Sequence, residues 1–519
     1  MSVKEGSRFD FIIVGGGTAG NTVAMRLVEN PDVRVLIIEA GVGNAIDIPE
    51  IRTPSGAMEL RNSKYDWAYK TTMIKRDDYE RVKKPNTRGK ILGGSSSLNY
   101  FTWAPGSKGT FDMWEEFGGK DWTWDNLKPY LRKSVTYHDD TGIHPPHLTN
   151  IGGGGPILIA HSELIPEMSP FRDRLTQAWN VNTIYKGQRS GSFLCLVGKP
   201  NITVMTETHS KCLIIDESDH TCKGVTVITK SNNELSLYVT REVIVTEGVF
   251  ESPKLLMLSG IGPKRELTRH NIDVIIDSPH VGKHLLDHPG VPFVLHVKDD
   301  FGMDEHVLRE GAKRDKAIMA YKENFGGPLA SGFLEMVGFP RIDEYLERDA
   351  DYRKAKAANG GKDPFCPYGQ PHFELDFKGN YITVMVDLVR PISEGGEVTL
   401  NSADALQQPN INLNYFNDEL DIIAIREGIR YSYDVLVKGE GFKDIIEEEY
   451  PWEMPLDDDE MMKKTQGVVD PILKVHGIKN LRVADASVMP VIPDCRIQNS
   501  VYMVAEKGAD LIKADHKDL

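Results

Sequence analysis

Three glycines and a glutamate carry the first chemical signal in this chain. Gly15-Gly16-Gly17-Thr18-Ala19-Gly20 has the spacing Gly-x-Gly-x-x-Gly. In such a turn Gly15 permits a sharp bend, Gly17 lets the backbone approach a pyrophosphate, and Gly20 lets a helix pack closely on a strand. A helix opening at Thr18 and Ala19 would present free N–H donors and the positive end of its dipole to phosphate, with no charged side chain needed. Glu39 stands where an acidic side chain accepts hydrogen bonds from a ribose 2′-hydroxyl and repels a 2′-phosphate. The pattern predicts an FAD- or NAD-like ligand and disfavours NADP.

The elements that must position these residues are readable around them. Phe11-Ile12-Ile13-Val14 is a short apolar run of the kind buried on both faces of a parallel sheet, and Val33–Glu39 is a second one. Strand, glycine turn, helix and strand make a βαβ unit. A second loop, Gly93-Gly94-Ser95-Ser96-Ser97-Leu98-Asn99-Tyr100, combines close backbone approach with hydroxyls and an amide. It suits hydrogen bonding to a planar polar ring or a phosphate.

Composition bounds the partners. The chain has 519 residues, more than one core usually supports, and a formal charge of −15. That charge argues against nucleic acid or an anionic membrane as the main partner. No apolar run is long enough to cross a bilayer, and the opening Met-Ser-Val-Lys-Glu-Gly-Ser-Arg lacks an apolar leader core, so the expected location is intracellular and cytoplasmic. Cys195, Cys212, Cys222, Cys366 and Cys495 form no metal-binding spacing, and their odd number argues against a disulfide framework. Structural thiols and no metal are expected.

Along the chain, Asp112 to His138 carries an amphipathic, Trp-bearing helical pattern, and 150–156 reads as a hinge. Strands are expected at Ile202–Met205, Lys211–Ile215, Cys222–Val227 and Glu242–Val245, and within Gly248–Pro263 a helix started near Ser252-Pro253 and stopped by glycine. Between about 290 and 450 polar helices alternate with strands such as Tyr381–Val386 and Glu397–Leu400, as in a separate α+β domain. A strand near Leu481 and a helix from about Asn499 to Lys513 close the sequence.

Six ordered blocks in this framework resemble the glucose–methanol–choline (GMC) flavoprotein oxidoreductases: Val14–Gly20, Glu39–Gly41, Gly93–Asn99, Ser252–Pro263, Val281–Pro289 and Leu481–Pro490. The resemblance implies an α/β fold with a Rossmann-like FAD-binding domain and a second, α+β substrate-binding domain. It divides the chain into FAD-binding residues 1–160, a substrate-side insertion 161–200, FAD-binding residues 201–290, a substrate-binding domain 291–465, and a C-terminal FAD-binding part 466–519 that carries active-site residues. By the same resemblance FAD would be held at its adenosine diphosphate end by Gly15, Gly17, Thr18, Ala19, Gly20, Glu39 and Ala40, with Val204 at the adenine and Asp485 and Ala486 closing over the pyrophosphate and ribityl chain. Gly93, Gly94, Ser95, Asn99 and Thr102 would lie along the isoalloxazine. Relatives that tether FAD covalently use a His just before the Asn; Leu98 stands there, so non-covalent FAD is expected.

The family places a His in a His-x-x-Gly-Thr segment and a second His or Asn about forty residues later. The second position falls on Arg496, and this arginine resembles the fungal formate oxidase branch. Arg496 cannot be a general base, but it grips carboxylates and lends positive charge, so it is the expected catalytic residue, with Gln498 and Asn499 holding it or the flavin's polar edge. The implied reaction oxidises a small substrate, preferably formate, with dioxygen as acceptor, giving carbon dioxide and hydrogen peroxide. The bland alternative is a structural Arg496 paired to Asp494 or Asp485. The expected His segment has no counterpart, because Asp457–Lys464 runs straight into Thr465–Pro471; the joins Trp179–Asn182 and Phe377–Asn380 are similarly abrupt. His476 and His288 read as structural. An oxidase or dehydrogenase of primary or aryl alcohols, and a catalytically impaired flavin-fold protein, stay open as alternatives.

Overall fold

The structure, a computed structural model, describes residues 3–516 except 44, 73–82, 140–150, 162–180, 299–302, 333, 379–381, 441–442 and 450–474. Its first sheet gathers strands from three separated stretches of sequence: β1 (Arg8–Val14), β2 (Val35–Ile38), β3 (Ile202–Met205), β4 (His209–Asp216), β5 (Thr221–Ile228), β6 (Glu234–Val245) and β12 (Leu481–Val483). The order is β3-β2-β1-β6-β5-β4, with β12 also pairing β6. The β3, β2, β1, β6 and β12 pairings are parallel, and β4-β5-β6 forms an antiparallel flap.

Both faces of the parallel part are covered, which is why its strands read as unbroken apolar runs. Phe11 and Ile13 enter one core with Val35, Ile37, helix α1 (Thr18–Leu27) and the C-terminal helix α4 (Gln498–Asp515). Ile12 and Val14 enter the opposite core with Leu36, Ile38 and helix α2 (Gly248–Leu258). α1 and α4 are further joined by Arg26, whose Nε lies 2.7 Å from Glu506 Oε2.

A second, antiparallel sheet has the order β8-β9-β10-β7-β11, made of β7 (Gly290–Val297), β8 (Leu334–Gly338), β9 (Phe373–Lys378), β10 (Ile382–Leu388) and β11 (Ile446–Glu449). Helix α3 (Glu419–Leu436) contributes Ala424, Ile425 and Ile429 to its core. A third sheet runs Lys283–Leu285, Gly396–Thr399, Asn410–Asn412, Tyr69–Thr72, Lys83–Asn86. It crosses the expected boundary at 290, because Ile411 and Asn412 pair with Thr71 and Thr72.

The stretch 112–138 departs from the helical expectation. Short helices Lys108–Asp112 and Glu115–Gly118 precede Trp124–Lys133, and Val135–His138 is a strand. Gly119, at φ +74°, breaks the path, while Trp114 and Trp122 still reach the core beside α1. Residues 151–156 of the expected hinge lie without regular structure before the strand Ile157–His161; 150 lies outside the described residues. Cys195, Cys212, Cys222, Cys366 and Cys495 are free thiols. Among the described residues no helix is long and apolar enough to cross a membrane.

β12 delivers Asp485 to the end of the first sheet, and a buried ion pair anchors it. Arg482 is fully buried, with Nε 2.8 Å from Glu242 Oε2 and Nη2 on Asp515. Removing one partner of a buried pair strands the other charge in a low-dielectric interior. Arg482→Met is expected to cost about 3–5 kcal/mol, read as a lowered urea midpoint by far-UV circular dichroism.

Candidate active site

The glycine turn forms as its spacing requires. Gly15 adopts φ +107°, and a Cβ there would sit 2.4 Å from the Thr246 carbonyl oxygen, so only glycine serves. Gly17 is the N-cap of α1 and supplies no side-chain acceptor, which leaves first-turn amides available. A Cβ added to Gly17 would meet nothing nearer than Gly94 Cα at 3.8 Å. The turn is thus a cradle with space above it and donors beneath. Thr18 and Ala19 form the start of that helix, and Gly20 packs against Gly15.

Glu39 closes the cradle at the end of β2. Its carboxylate accepts hydrogen bonds from Gly16 N (3.1 Å) and Gly41 N (2.7 Å), and burial pushes its pKa up to about 7 against those two donors. Each oxygen keeps a further lone pair for a ribose hydroxyl. Beyond Ala40 a cavity of about 390 Å³ opens, lined by Gly41, Lys90, Glu207 and His209 among others. Val204 on β3 lies beside Ile37 of β2, half-buried, at the same sheet edge.

The loop at 93–102 locks directly onto the turn. Gly94 has φ +52° and its Cβ position lies 2.7 Å from Gly17 Cα. Ser96 Oγ donates to Gly93 O at 2.6 Å, and Ser95 is exposed. Leu98 is buried in an apolar cluster with Ile91 and Phe193. Asn99 Nδ2 donates to Gln498 Oε1 (2.5 Å), and Gln498 Nε2 donates to Thr102 O (3.2 Å). The loop and the start of α4 therefore meet through Asn99, Gln498 and Thr102.

Two expected ligand contacts serve as braces instead. Asn499 is 1% exposed and donates through Nδ2 to Ala104 O, so its side chain holds the neighbouring loop rather than the flavin's polar edge. Asp485 is also buried, accepting from Gly248 N (2.7 Å), Ser252 Oγ (2.5 Å) and Ser487 N (2.8 Å). What it can offer a cofactor is backbone, along with that of Ala486 after it.

Arg496 is paired, but not to Asp485 or Asp494. Its Nε lies 3.3 Å from Glu374 Oε1 and its Nη2 contacts Asp376 and Asp387. Asp494 instead accepts from Ser107 N at 2.8 Å. The three acids were missed in the sequence, although Glu374-Leu375-Asp376 in an otherwise apolar stretch gave the signal: residues two apart on a strand share a face. Asp387 stands directly opposite Glu374 in the β9–β10 register and completes the cluster.

Burial works against the Arg496 charge, but Asp376, Glu374 and Asp387 outweigh it and hold its pKa well above the ordinary range. Burial raises Glu374, and although Arg496 opposes this, its acid neighbours add to it, taking its pKa to about 8. At neutral pH Glu374 is therefore protonated. Arg496 keeps 33% of its side chain exposed, and its Nη1 has no hydrogen-bond partner among the described residues. His288 lies 3.1 Å through Nε2 from Pro493 O, and burial together with the Arg496 charge keeps its pKa below the ordinary value. His476 is exposed on the turn before β12. The segment 457–471 and the join at 179–180 lie outside the described residues, as do 379–381 of the join after Phe377.

A dinucleotide cradle on a parallel sheet, a second loop locked onto it and a charged cluster from a separate sheet define an FAD-dependent oxidoreductase. The chain belongs to the GMC oxidoreductase family, whose N-terminal model matches residues 9–290 and whose C-terminal model matches 391–505. It is similar to a formate oxidase of Aspergillus oryzae, with 65% identity, a TM-score of 0.96, and coverage of 99% of this chain and 100% of that one. It is 30% identical to a pyranose dehydrogenase of Agaricus xanthodermus over 98% of this chain and 93% of the relative. That alignment runs over 588 positions against 519 residues, so the relative carries residues opposite gaps in this chain. A fungal aryl-alcohol oxidase at 21% identity and TM-score 0.82, covering 100% of both chains, shares the fold. The fold is thus the expected mixed α/β one, with an N-terminal FAD-binding domain and a C-terminal substrate-binding domain.

The contact of Gly94 with Gly17 makes a test of the cradle. Gly94→Ala adds a Cβ where the backbone of Gly17 stands, at a φ that costs about 1 kcal/mol or more for a side chain. FAD retained per chain after gel filtration is expected to fall below the wild-type amount.

Proposed function

We propose that the protein is an FAD-dependent oxidase of a small carboxylate, preferably formate, recognised by the free edge of Arg496. The single observation that carries this reading is a guanidinium clamped on two sides by acids with Nη1 left open. A guanidinium presents paired N–H donors to a carboxylate and cannot remove a proton, and formate has no hydroxyl proton to remove. Positioning and charge complementarity are then the main demands on the site. FAD, when bound, supplies acceptance of a hydride equivalent and its return to dioxygen. In sum, formate, one proton and dioxygen give carbon dioxide and hydrogen peroxide. The likeness to the Aspergillus formate oxidase supports the same substrate.

The residues expected to hold the cofactor are Gly15, Gly17, Thr18, Ala19, Gly20, Glu39, Ala40 and Val204 toward the adenosine end, and Gly93, Gly94, Ser95, Asn99, Thr102 and Gln498 toward the ring. Leu98, an alkane side chain in an apolar cluster, offers no atom for a flavin linkage. Non-covalent FAD follows, and acid precipitation is expected to leave the flavin in the supernatant.

The acid cluster also favours a second reading. With Glu374 protonated, Asp376 and Asp387 still outweigh one arginine by one charge, a field that suits a neutral alcohol better than an anion. Peroxide release from pure protein separates the two. Formate-dependent release that falls about 10²-fold or more in Arg496→Ala supports the first reading; turnover of alcohols alone establishes the second.

Under the formate reading, the Glu374 proton sets anion affinity. Below about pH 8 Glu374 is neutral; above it the cluster gains a negative charge. The KM for formate is expected to rise as pH passes upward through about 8, and Glu374→Gln to remove that inflection.

A further inference from the structure

Behind the 93–102 loop lies a buried cation that the reaction as described does not use. Arg189 is 2% exposed, yet it makes no ion pair among the described residues. Among the described residues the titratable groups that face it are the phenols of Tyr100 and Tyr502, whose pKa values burial raises further. Burial lowers its pKa to about 9, which leaves it charged under neutral conditions. A buried charge without a counterion is costly and calls for a compensating reason.

Its hydrogen bonds show where it acts. Nε donates to Ile51 O (2.9 Å), and Nη1 donates to Asn99 O and Asn99 Oδ1, both at 2.9 Å, with Ser96 O at 3.4 Å. Its guanidinium carbon stacks 4.0 Å from the centre of the Phe101 ring, and Phe101 holds a left-handed φ of +72°. Phe101 N donates to the same Asn99 Oδ1 at 3.2 Å. Two donors on that oxygen fix the amide, so Asn99 Nδ2 must point at Gln498 Oε1, and Gln498 Nε2 is then turned to Thr102 O. Arg189 Nη2 is buried with no hydrogen-bond partner.

We propose that Arg189 is a positioning residue for the flavin: its guanidinium sets the donor–acceptor direction of the Asn99–Gln498–Thr102 chain and places one positive charge, paired to no carboxylate among the described residues, behind the loop facing the ring. The proposal rests on FAD lying along residues 93–102, as in the function proposed above. A fixed positive charge in a water-poor site favours the electron-rich form of a neighbouring cofactor. Arginine is required over lysine because the Nε and Nη1 hydrogen bonds diverge in one plane.

The test reads the flavin of the holoenzyme without substrate. Arg189→Lys keeps the charge and loses the planar donor set, so FAD dissociation is expected to quicken about tenfold with the midpoint potential near the wild-type value. Arg189→Met loses both, and its potential is expected to fall as well; a tenfold preference lost by the reduced cofactor corresponds to about 30 mV for a two-electron couple. Wild-type dissociation and potential in Arg189→Met overturn the proposal. If that variant does not fold, Asn99→Leu, which cuts the same chain at a half-buried position, must loosen FAD as Arg189→Lys does, and normal retention in it overturns the proposal. Because neither formate nor alcohol enters these measurements, they remain decisive for a protein that oxidises neither. A native protein without flavin would instead refute the proposed function.

Discussion

The guanidinium of Arg496 is the joint on which the candidate site depends. It lies just before α4, whose apolar face packs on the dinucleotide-binding sheet, and it reaches Glu374, Asp376 and Asp387 on two neighbouring strands of the other sheet. Removing any of these groups from water costs several kcal/mol unless it is paired. The acids and the arginine are therefore most stable together, and that mutual need holds the start of α4 against β9 and β10. The seam between the two sheets becomes the place where charge can be presented to a bound molecule. Its net charge depends on whether Glu374 carries a proton.

A different kind of constraint holds the cofactor end. Gly94 abuts Gly17, and Ser192 Oγ lies within hydrogen-bond distance of both Gly17 O and Gly93 O, at 3.2 and 3.3 Å. The glycine turn and the 93–102 loop are thereby joined in one piece rather than standing as two independent loops. Asn99, Gln498 and Thr102 continue that piece to the start of α4, close in sequence to Arg496. Cofactor placement and the charged cluster thus share a support, which fits a reaction that needs orientation more than a strong base.

Much of this was legible in the sequence where the causes are local. The apolar runs of β1 and β2 announced a sheet covered on both faces, and the alternation in 202–245 announced strands that return to it. The Trp-bearing pattern at 112–138 misled, because amphipathic spacing persists across the break at Gly119 and the tryptophans reach the same core from separate short helices. The pairing of the third sheet could not be read: a strand at 397–400 was expected, but nothing in 69–72 says that its partner is 410–412. The engagement of the Asn499 amide by Ala104 O and of the Asp485 carboxylate by Gly248 N was not legible, since sequence position says where a backbone passes and not which groups its side chains meet.

The sequence by itself determined the glycine turn at the head of α1 and the presence of an arginine before the last helix. A turn, a helix N-terminus and the end of a neighbouring strand are all set by backbone within about thirty residues, and glycine positions write that geometry directly into the chain. What only the tertiary structure decided is the electrical state of that arginine. Two of its partners lie 109 and 120 residues away in the chain, and neutralisation depends on distance in space. The same holds for Arg189, whose charge is notable because folding brought it to Asn99 and Phe101 with no carboxylate partner among the described residues.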